Sequence, residues 1–428
     1  MNFRSLSLPL GVALILSITR SPAQNPGGIS VGLRPLTELG SALYKGFPGG
    51  LYPGSSNSRP AQHDSVGRMI AQQVLPLDRS GFVDAANGKI VLLSIGMSNT
   101  TQEFSVFKTL ADADAAKNPR LVIVDGAQGG QTASIIANPA AAFWSVIDQR
   151  LQAAGVTRQQ VQVAWVKEAD AGPTSGFPTY AMTLSTELEK IVKILKSFYP
   201  NIRIAYLSSR IYAGYATTTL NPEPYAYESA FSVKWLIEKQ IRGDTSLAYS
   251  VPFLRAPWLS WGPYLWADGL TPRSDGLIWL ATDFQPDGTH PSPNGQKRVA
   301  SLLLSFFKTD PTSIPWFLKA GATTVREERP TEPGWELSQN YPNPFNPVTT
   351  IRLRISETSL VTLRVFDVRG KEVAVLMNEI RPAGSHSVRW NAEALPSGVY
   401  FYRLVVTAIR PAAHSTVFID SRRMLLLQ

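Results

Sequence analysis

Between residue 89 and about residue 310, short apolar runs alternate with stretches in which apolar residues recur every three or four positions. The runs "KIVLLSI", "RLVIVDGA", "VQVAWVKEA" and "IRIAYLSS" are continuous and end in turn-forming residues. That is the pattern of strands buried on both faces of a parallel sheet. "QEFSVFKTLADADAA", "AAAFWSVIDQRLQAAG" and "TLSTELEKIVKILKSFY", which separate them, carry helical periodicity, as do "ESAFSVKWLIEKQIRG" and "NGQKRVASLLLSFFKTD" further on. The aromatic stretch between the last two reads as a loop. Strands alternating with amphipathic helices predict βαβ units around a parallel sheet, an α/β fold.

After Trp316 the pattern changes. "KAGATTVREERPTEPGWE" is polar and Pro-containing, a solvated linker, and beyond it the period drops to two in "TIRLRIS", "SLVTLRVFDVRG", "HSVRWNA", "GVYFYRLVV" and "SRRMLLLQ". Alternation with turns between predicts a small antiparallel β-sandwich. Upstream, residues 25–88 are rich in Gly, Pro and Ser, with one helical piece near "SVGRMIAQQV". The chain opens on Met1-Asn2-Phe3-Arg4, the apolar "LSLPLGVALILSI" and small residues placed for cleavage after Ala23. This is the layout of a secretory signal peptide, too short for a membrane span. The expected organisation is a signal peptide (1–24), a loop-rich extension of the main domain (25–88), the α/β domain (89–315), a linker (316–336) and a C-terminal sandwich (337–428).

Composition narrows the function. With 44% hydrophobic and 17% charged residues over 428 positions, the chain can bury full cores. It has no cysteine, which removes disulfides, thiol catalysis and thiolate metal sites from consideration in an exported protein. The net charge of +9 comes from Lys and Arg spread along the whole chain, so no nucleic-acid partner is expected. An acidic polysaccharide or anionic cell surface remains compatible with that charge. No clustered metal ligands and no nucleotide-binding loop occur, and neither metal nor cofactor is expected.

In open α/β sheets chemistry sits at the carboxyl ends of the strands. The first run ends there in "SIGMSNT", which puts Ser98 at a strand-to-helix turn, as a helix cap or as a nucleophile. A serine hydroxyl needs a base to attack a carbonyl. Of the four histidines, His386 and His414 fall in the sandwich and His63 in the extension, leaving His290 in "DGTHPSPNG" as the α/β domain's own imidazole. Asp287, three residues earlier, is placed either to orient that imidazole or to form an Asx turn beside a surface histidine. "VDGAQGGQTAS" closes another strand and brings Gly129-Gly130, whose backbone N–H groups suit an oxyanion or serve a plain glycine turn.

Taken together, "GMSNT", "GAQGGQT" and "DGTH" resemble the first, second and last blocks of the SGNH, or GDSL-type, hydrolases, in the GQSN form of the carbohydrate acetylesterase branch. The resemblance implies a flavodoxin-like three-layer α/β/α fold with Ser98 as nucleophile, His290 as base and Asp287 as its orienter. It further implies oxyanion donors from the Ser98 and Gly130 backbone N–H groups. The third block departs from the pattern: "WVKEAD" puts Ala169 where the family usually has an oxyanion asparagine, with Glu168 and Asp170 matching the acetylesterase branch in type. Asn99 and Gln131 are candidates for the missing donor. Trp258, Trp261, Tyr264 and Trp266, close to the histidine loop, could stack on sugar rings, line an acyl pocket or pack the loop onto the sheet.

The C-terminal segments "NYPNPFNPVTTI", "VFDVRGKEV", "PSGVYFYRL" and "RRMLLLQ" resemble the type A sorting domain of the type IX secretion system, an immunoglobulin-like sandwich. That resemblance implies the type IX machinery as a partner and secretion or attachment at the cell surface. A carbohydrate-binding module is the other reading of a terminal sandwich bearing Tyr400, Phe401 and Tyr402. The expected function is an exported serine esterase acting on carboxylic esters, including O-acetyl groups of polysaccharide. The alternative is a polysaccharide-binding surface protein that keeps the scaffold without the activity, for which Ala169 is the chief reason.

Overall fold

The computed structural model describes residues 29–250, 254–319, 335–367, 371–408 and 417–428. The expected signal peptide and residues 320–334 of the expected linker lie outside the described residues. The chain divides into two compact units, Met1–Thr324 and Val325–Gln428.

Besides a short helix (Leu36–Leu39), a small hairpin (Leu43–Tyr44 with Phe47–Pro48) and 3-10 turns, the first unit is built from α1 (Ala61–Gln72), β1 (Ile90–Gly96), α2 (Ser98–Ala113), β2 (Leu121–Val124), α3 (Ala133–Ile136), α4 (Ala142–Ala153), β3 (Val161–Lys167), α5 (Thr179–Phe198), β4 (Ile204–Leu207), α6 (Tyr225–Ile241), β5 (Trp258–Trp261), α7 (Pro293–Thr309) and α8 (Ile314–Phe317). Strands β1 to β5 form one wholly parallel sheet in the order β2-β1-β3-β4-β5. Every residue of β1 and β3 is buried, which accounts for their unbroken apolar runs. The order reverses at β1, flanked by β2 on one side and β3 on the other. Such a switch point opens a crevice beyond the strand ends.

β5 corrects the reading of the aromatic stretch as a loop. Its "WLSW" pairs in register with β4, Ile204 opposite Trp258 and Leu207 opposite Trp261, and all four residues are buried. The segment upstream of α1 is also part of this core: Leu36, Leu51 and Tyr52 join the same buried cluster as the sheet. So do Trp316 and Phe317, with Lys319 N bonding Ala116 O at 3.0 Å, so the first residues assigned to the linker pack as part of this unit.

The second unit has seven described strands: β6 (Glu336–Leu337), β7 (Val348–Ile355), β8 (Ser359–Asp367), β9 (Glu372–Arg381), β10 (Gly384–Asn391), β11 (Gly398–Ala408) and β12 (Val417–Leu426). They form two antiparallel sheets, β9-β8-β11-β12 and β10-β7-β6. The inward positions of both, including Ile351 and Leu353 from one and Leu363, Tyr402 and Leu404 from the other, fill one apolar core. Period-two alternation buries every second residue of a strand in this way.

Candidate active site

β1 carries its buried backbone up to Gly96, and the chain then turns straight into α2. The turn admits only glycine at 96, because a Cβ there would lie 2.3 Å from Thr100 Oγ1 and 2.5 Å from Lys167 O. Met97 takes the N-cap position and Ser98 is the first helical residue, half-buried at the helix N-terminus. The first N–H groups of a helix have no partner within it and carry its positive dipole end. Three hydrogen bonds fix the start of α2 against β3. Thr100 Oγ1 donates to Lys167 O at 2.7 Å, and Lys167 Nζ reaches both carboxylate oxygens of Glu103, at 2.6 and 2.5 Å, with neither side chain exposed. Burial pulls Lys167 down and pushes Glu103 up, each opposed by the attraction of the other.

His290 lies 192 positions further along the chain, yet its Nε2 sits 2.8 Å from Ser98 Oγ. Its Nδ1 lies 2.5 Å from one carboxylate oxygen of Asp287, whose other oxygen accepts the backbone N–H groups of Thr289 and His290, each at 3.0 Å. Burial pushes the Asp287 carboxyl up, but the His290 ring and these two N–H groups outweigh it and hold the carboxyl below its ordinary range. The loop is itself closed by Gln285 N donating to His290 O at 2.8 Å. Gly288 has φ +62°, and a Cβ there would meet Tyr215 O at 1.9 Å, so the backbone of the loop after β4 presses directly on the histidine loop. That neighbour also supplies Thr217 N to Asp287 O at 3.0 Å and a hydroxyl contact between Thr218 and Thr289 at 3.2 Å. The side chains of His290 and Asp287 are 21% and 27% exposed, so solvent and small solutes reach the pair.

The loop after β2 forms the other wall. Gln131 N donates to Gln128 O at 3.3 Å, and Gly130 has φ +74°, the conformation a tight turn needs at its third position. A Cβ on Gly129 would lie 3.9 Å from Ser98 Cβ, so the turn rests against the serine side chain. The N–H of Gly130 is not part of the turn's own hydrogen bond.

Several expected site residues have other work. Asn99 is buried and its Nδ2 donates to Thr289 O at 2.9 Å; it braces the histidine loop rather than standing free as an oxyanion donor. Ala169 is fully buried, its carbonyl accepting from Ala133 N at 3.2 Å, so the methyl group faces packing and supplies no donor. Glu168 is likewise buried, which pushes its carboxyl well above the usual range. Gln131 is half-buried in the turn with only its backbone bonded among the described contacts.

The four aromatics do not line a binding surface. Trp258, Trp261, Tyr264 and Trp266 are all buried. Trp258 stacks on His63 at 4.7 Å, Trp261 Nε1 donates to Leu51 O at 2.7 Å, Tyr264 OH accepts Leu36 N at 3.1 Å, and Trp266 Nε1 donates to Glu223 at 2.7 Å. The upstream segment supplies three of these partners, a long-range packing that local sequence does not reveal. Among the described residues no group of three or more His, Cys, Asp or Glu side chains could hold a metal ion, and no helix is long and apolar enough to cross a membrane.

Comparison with known proteins bears on the second unit. The family of secretion system C-terminal sorting domains matches residues 339–409. This tail directs export through the type IX system, to the cell surface or the medium, and makes that machinery a partner of the chain. No curated protein matches the chain. Among solved structures, dimeric latent PorU from Porphyromonas gingivalis is 20% identical over 22% of this chain and 9% of its own, with a TM-score of 0.18. A Bacillus subtilis protein is 11% identical over 53% of this chain and 58% of its own, at 0.31. The periplasmic domain of a lipopolysaccharide acetyltransferase from Salmonella ser. Paratyphi A is 12% identical over 57% of this chain and 95% of its own, at 0.30.

Proposed function

We propose that the first unit is a serine esterase of the SGNH type, a flavodoxin-like three-layer α/β/α domain, exported with an immunoglobulin-like sorting sandwich behind it. The observation that carries the reading is the chain of contacts from Ser98 Oγ to His290 Nε2 and from His290 Nδ1 to Asp287, set at the switch point of a parallel sheet ordered 2-1-3-4-5. An Asx turn with a surface histidine explains the Asp287 contacts but not an imidazole aimed at the hydroxyl that begins α2.

In the proposed reaction His290 Nε2 takes the Ser98 proton as Oγ bonds the ester carbonyl carbon, and the carbonyl electron pair moves onto oxygen. Asp287 holds the ring in the tautomer with Nδ1–H and stabilises the imidazolium. The oxyanion is met by the Ser98 N–H at the positive end of α2 and by the Gly130 N–H. Collapse expels the alcohol, which leaves with the proton from His290. Water then adds to the acyl-enzyme, giving its proton to His290, and the acid departs as that proton returns to Ser98. With Ala169 in place of a side-chain donor, two backbone donors carry the hole, and each is worth about 10²–10³ in rate. O-acetyl groups on polysaccharide are the proposed substrates, since a small acyl group suits a half-buried serine and export delivers the site to extracellular polymers.

The test is hydrolysis of short-chain nitrophenyl esters by the full chain and by Ser98→Ala. The reading expects wild-type turnover and a loss of at least about three orders of magnitude in the variant. Equal, slow hydrolysis by both, with retained polysaccharide binding, would instead make this scaffold a binding protein.

A further inference from the structure

Asp125, the first residue past β2, takes hydrogen bonds on its carboxylate from three hydroxyls on two elements. Ser94 Oγ of β1 donates to one oxygen at 2.6 Å, while Thr101 Oγ1 and Ser105 Oγ of α2 donate to the other, the latter at 3.1 Å. Thr101 and Ser105 lie one turn apart on the helix that Ser98 begins, so a single carboxylate grips the helix face next to Ser98 and the strand leading into it. The same carboxylate starts the loop that ends in the Gly129-Gly130 turn.

That loop is held at every step towards the serine. Ser94 Oγ accepts Gly126 N at 3.0 Å, and Ala127 N reaches Asp125 at 3.2 Å. Gln128 N donates to Gly96 O at 2.9 Å, and Arg150 Nη1 ties down the carbonyls of Asp125 and Ala127 at 2.8 and 2.7 Å. A Cβ at Gly126 would lie 2.5 Å from Ser94 O, so the loop lies flat on β1. The loop carries one proposed oxyanion donor and the helix carries the nucleophile with the other. Among the described residues, Asp125 is the side chain that bonds both the strand before Ser98 and the helix after it.

We infer that Asp125 is a positioning residue, one that fixes the Gln128–Gln131 turn relative to Ser98; its effect on turnover rests on the esterase reading above. Displacing a donor by about 1 Å costs on the order of 10²-fold in rate. The full chain is compared with Asp125→Ala, Asp125→Asn, which keeps one acceptor oxygen, and Thr101→Val, which removes one donor at nearly constant shape. Two readouts are taken: amide hydrogen exchange in peptides spanning 125–131, and kcat and KM on a nitrophenyl ester per phosphonate-titrated site.

The inference expects exchange in 125–131 to rise about tenfold or more in Asp125→Ala. It also expects kcat to fall about 10²-fold with KM nearly unchanged, and smaller effects of both kinds in Asp125→Asn and Thr101→Val. Should Asp125→Ala not fold, the two milder variants decide by the same readouts. Wild-type exchange in 125–131 in these variants overturns the positioning role, as does wild-type kcat per titrated site. If the wild-type chain neither hydrolyses esters nor takes the phosphonate, the esterase reading falls, and the exchange measurement alone decides whether Asp125 holds the turn.

Discussion

Ser98, His290 and Asp287 were legible as candidates because histidine is scarce in this chain and each residue follows a recognisable turn. Their meeting is a property of the sheet, which brings positions 192 apart within 2.8 Å. Side-chain direction was less legible. Asn99 looked free to serve an oxyanion, but a buried amide takes the nearest carbonyl, here Thr289 O. Asp125 could be seen only as a polar residue after a strand, since its three donors come from two other elements. The Asp287 carboxyl is held below the ordinary range, so it stays ionised at neutral pH and can stabilise a positive charge on the His290 ring. The stability that this depressed carboxyl contributes is present above its unfolded-state pKa and is lost only as pH falls through the lower folded value. Asp287→Asn should keep the fold and lose about three to four orders of magnitude in kcat, because the amide favours the wrong tautomer. An unchanged kcat at pH 7 would move the orienting role elsewhere. Asp283 is not free to take it, being bound to Leu280 N and Arg298.

Among elements, the four strands with continuous aliphatic runs were readable, while β5 was not. "WLSW" is four residues long with no β-branched side chain, and what makes it a strand is β4 beside it and the upstream segment packed over it. β9 was missed for a different reason. Register shifts opposite Leu363/Arg364 and Val365/Phe366 break the alternation on which a period-two reading depends. α5 offers a test of local electrostatics: half-buried Glu187 is pushed up to about 8 by burial and then by the neighbouring Asp170. A carboxyl whose folded pKa is raised binds its proton more tightly in the folded state. Stability is therefore full below the unfolded value of about 4.5 and falls as pH rises through about 8. Glu187→Gln should leave Tm unchanged near pH 4.5 and raise it relative to wild type near pH 8.5. The same Tm difference at both pH values would show that the group does not titrate in this way.

At the scale of the molecule, the change from helical to period-two patterning marked two units, and each has its own buried core. Separate cores support independent folding. A chain ending near Pro330 should therefore keep the specific activity of the full protein on a soluble ester, while a type IX-competent host should fail to deliver it to the surface. Surface delivery of the shortened chain, with loss of polysaccharide binding, would make the sandwich a substrate-targeting module instead.

The central claim is that Ser98 is a nucleophile activated by His290, and covalent labelling tests it without knowledge of the natural substrate. An organophosphonate with a small alkyl group is incubated with the full chain, and the adduct is located by peptide mass spectrometry. One adduct per chain is expected, on Ser98, and none in His290→Ala. A chain that takes no label, or takes it on another serine, contradicts it.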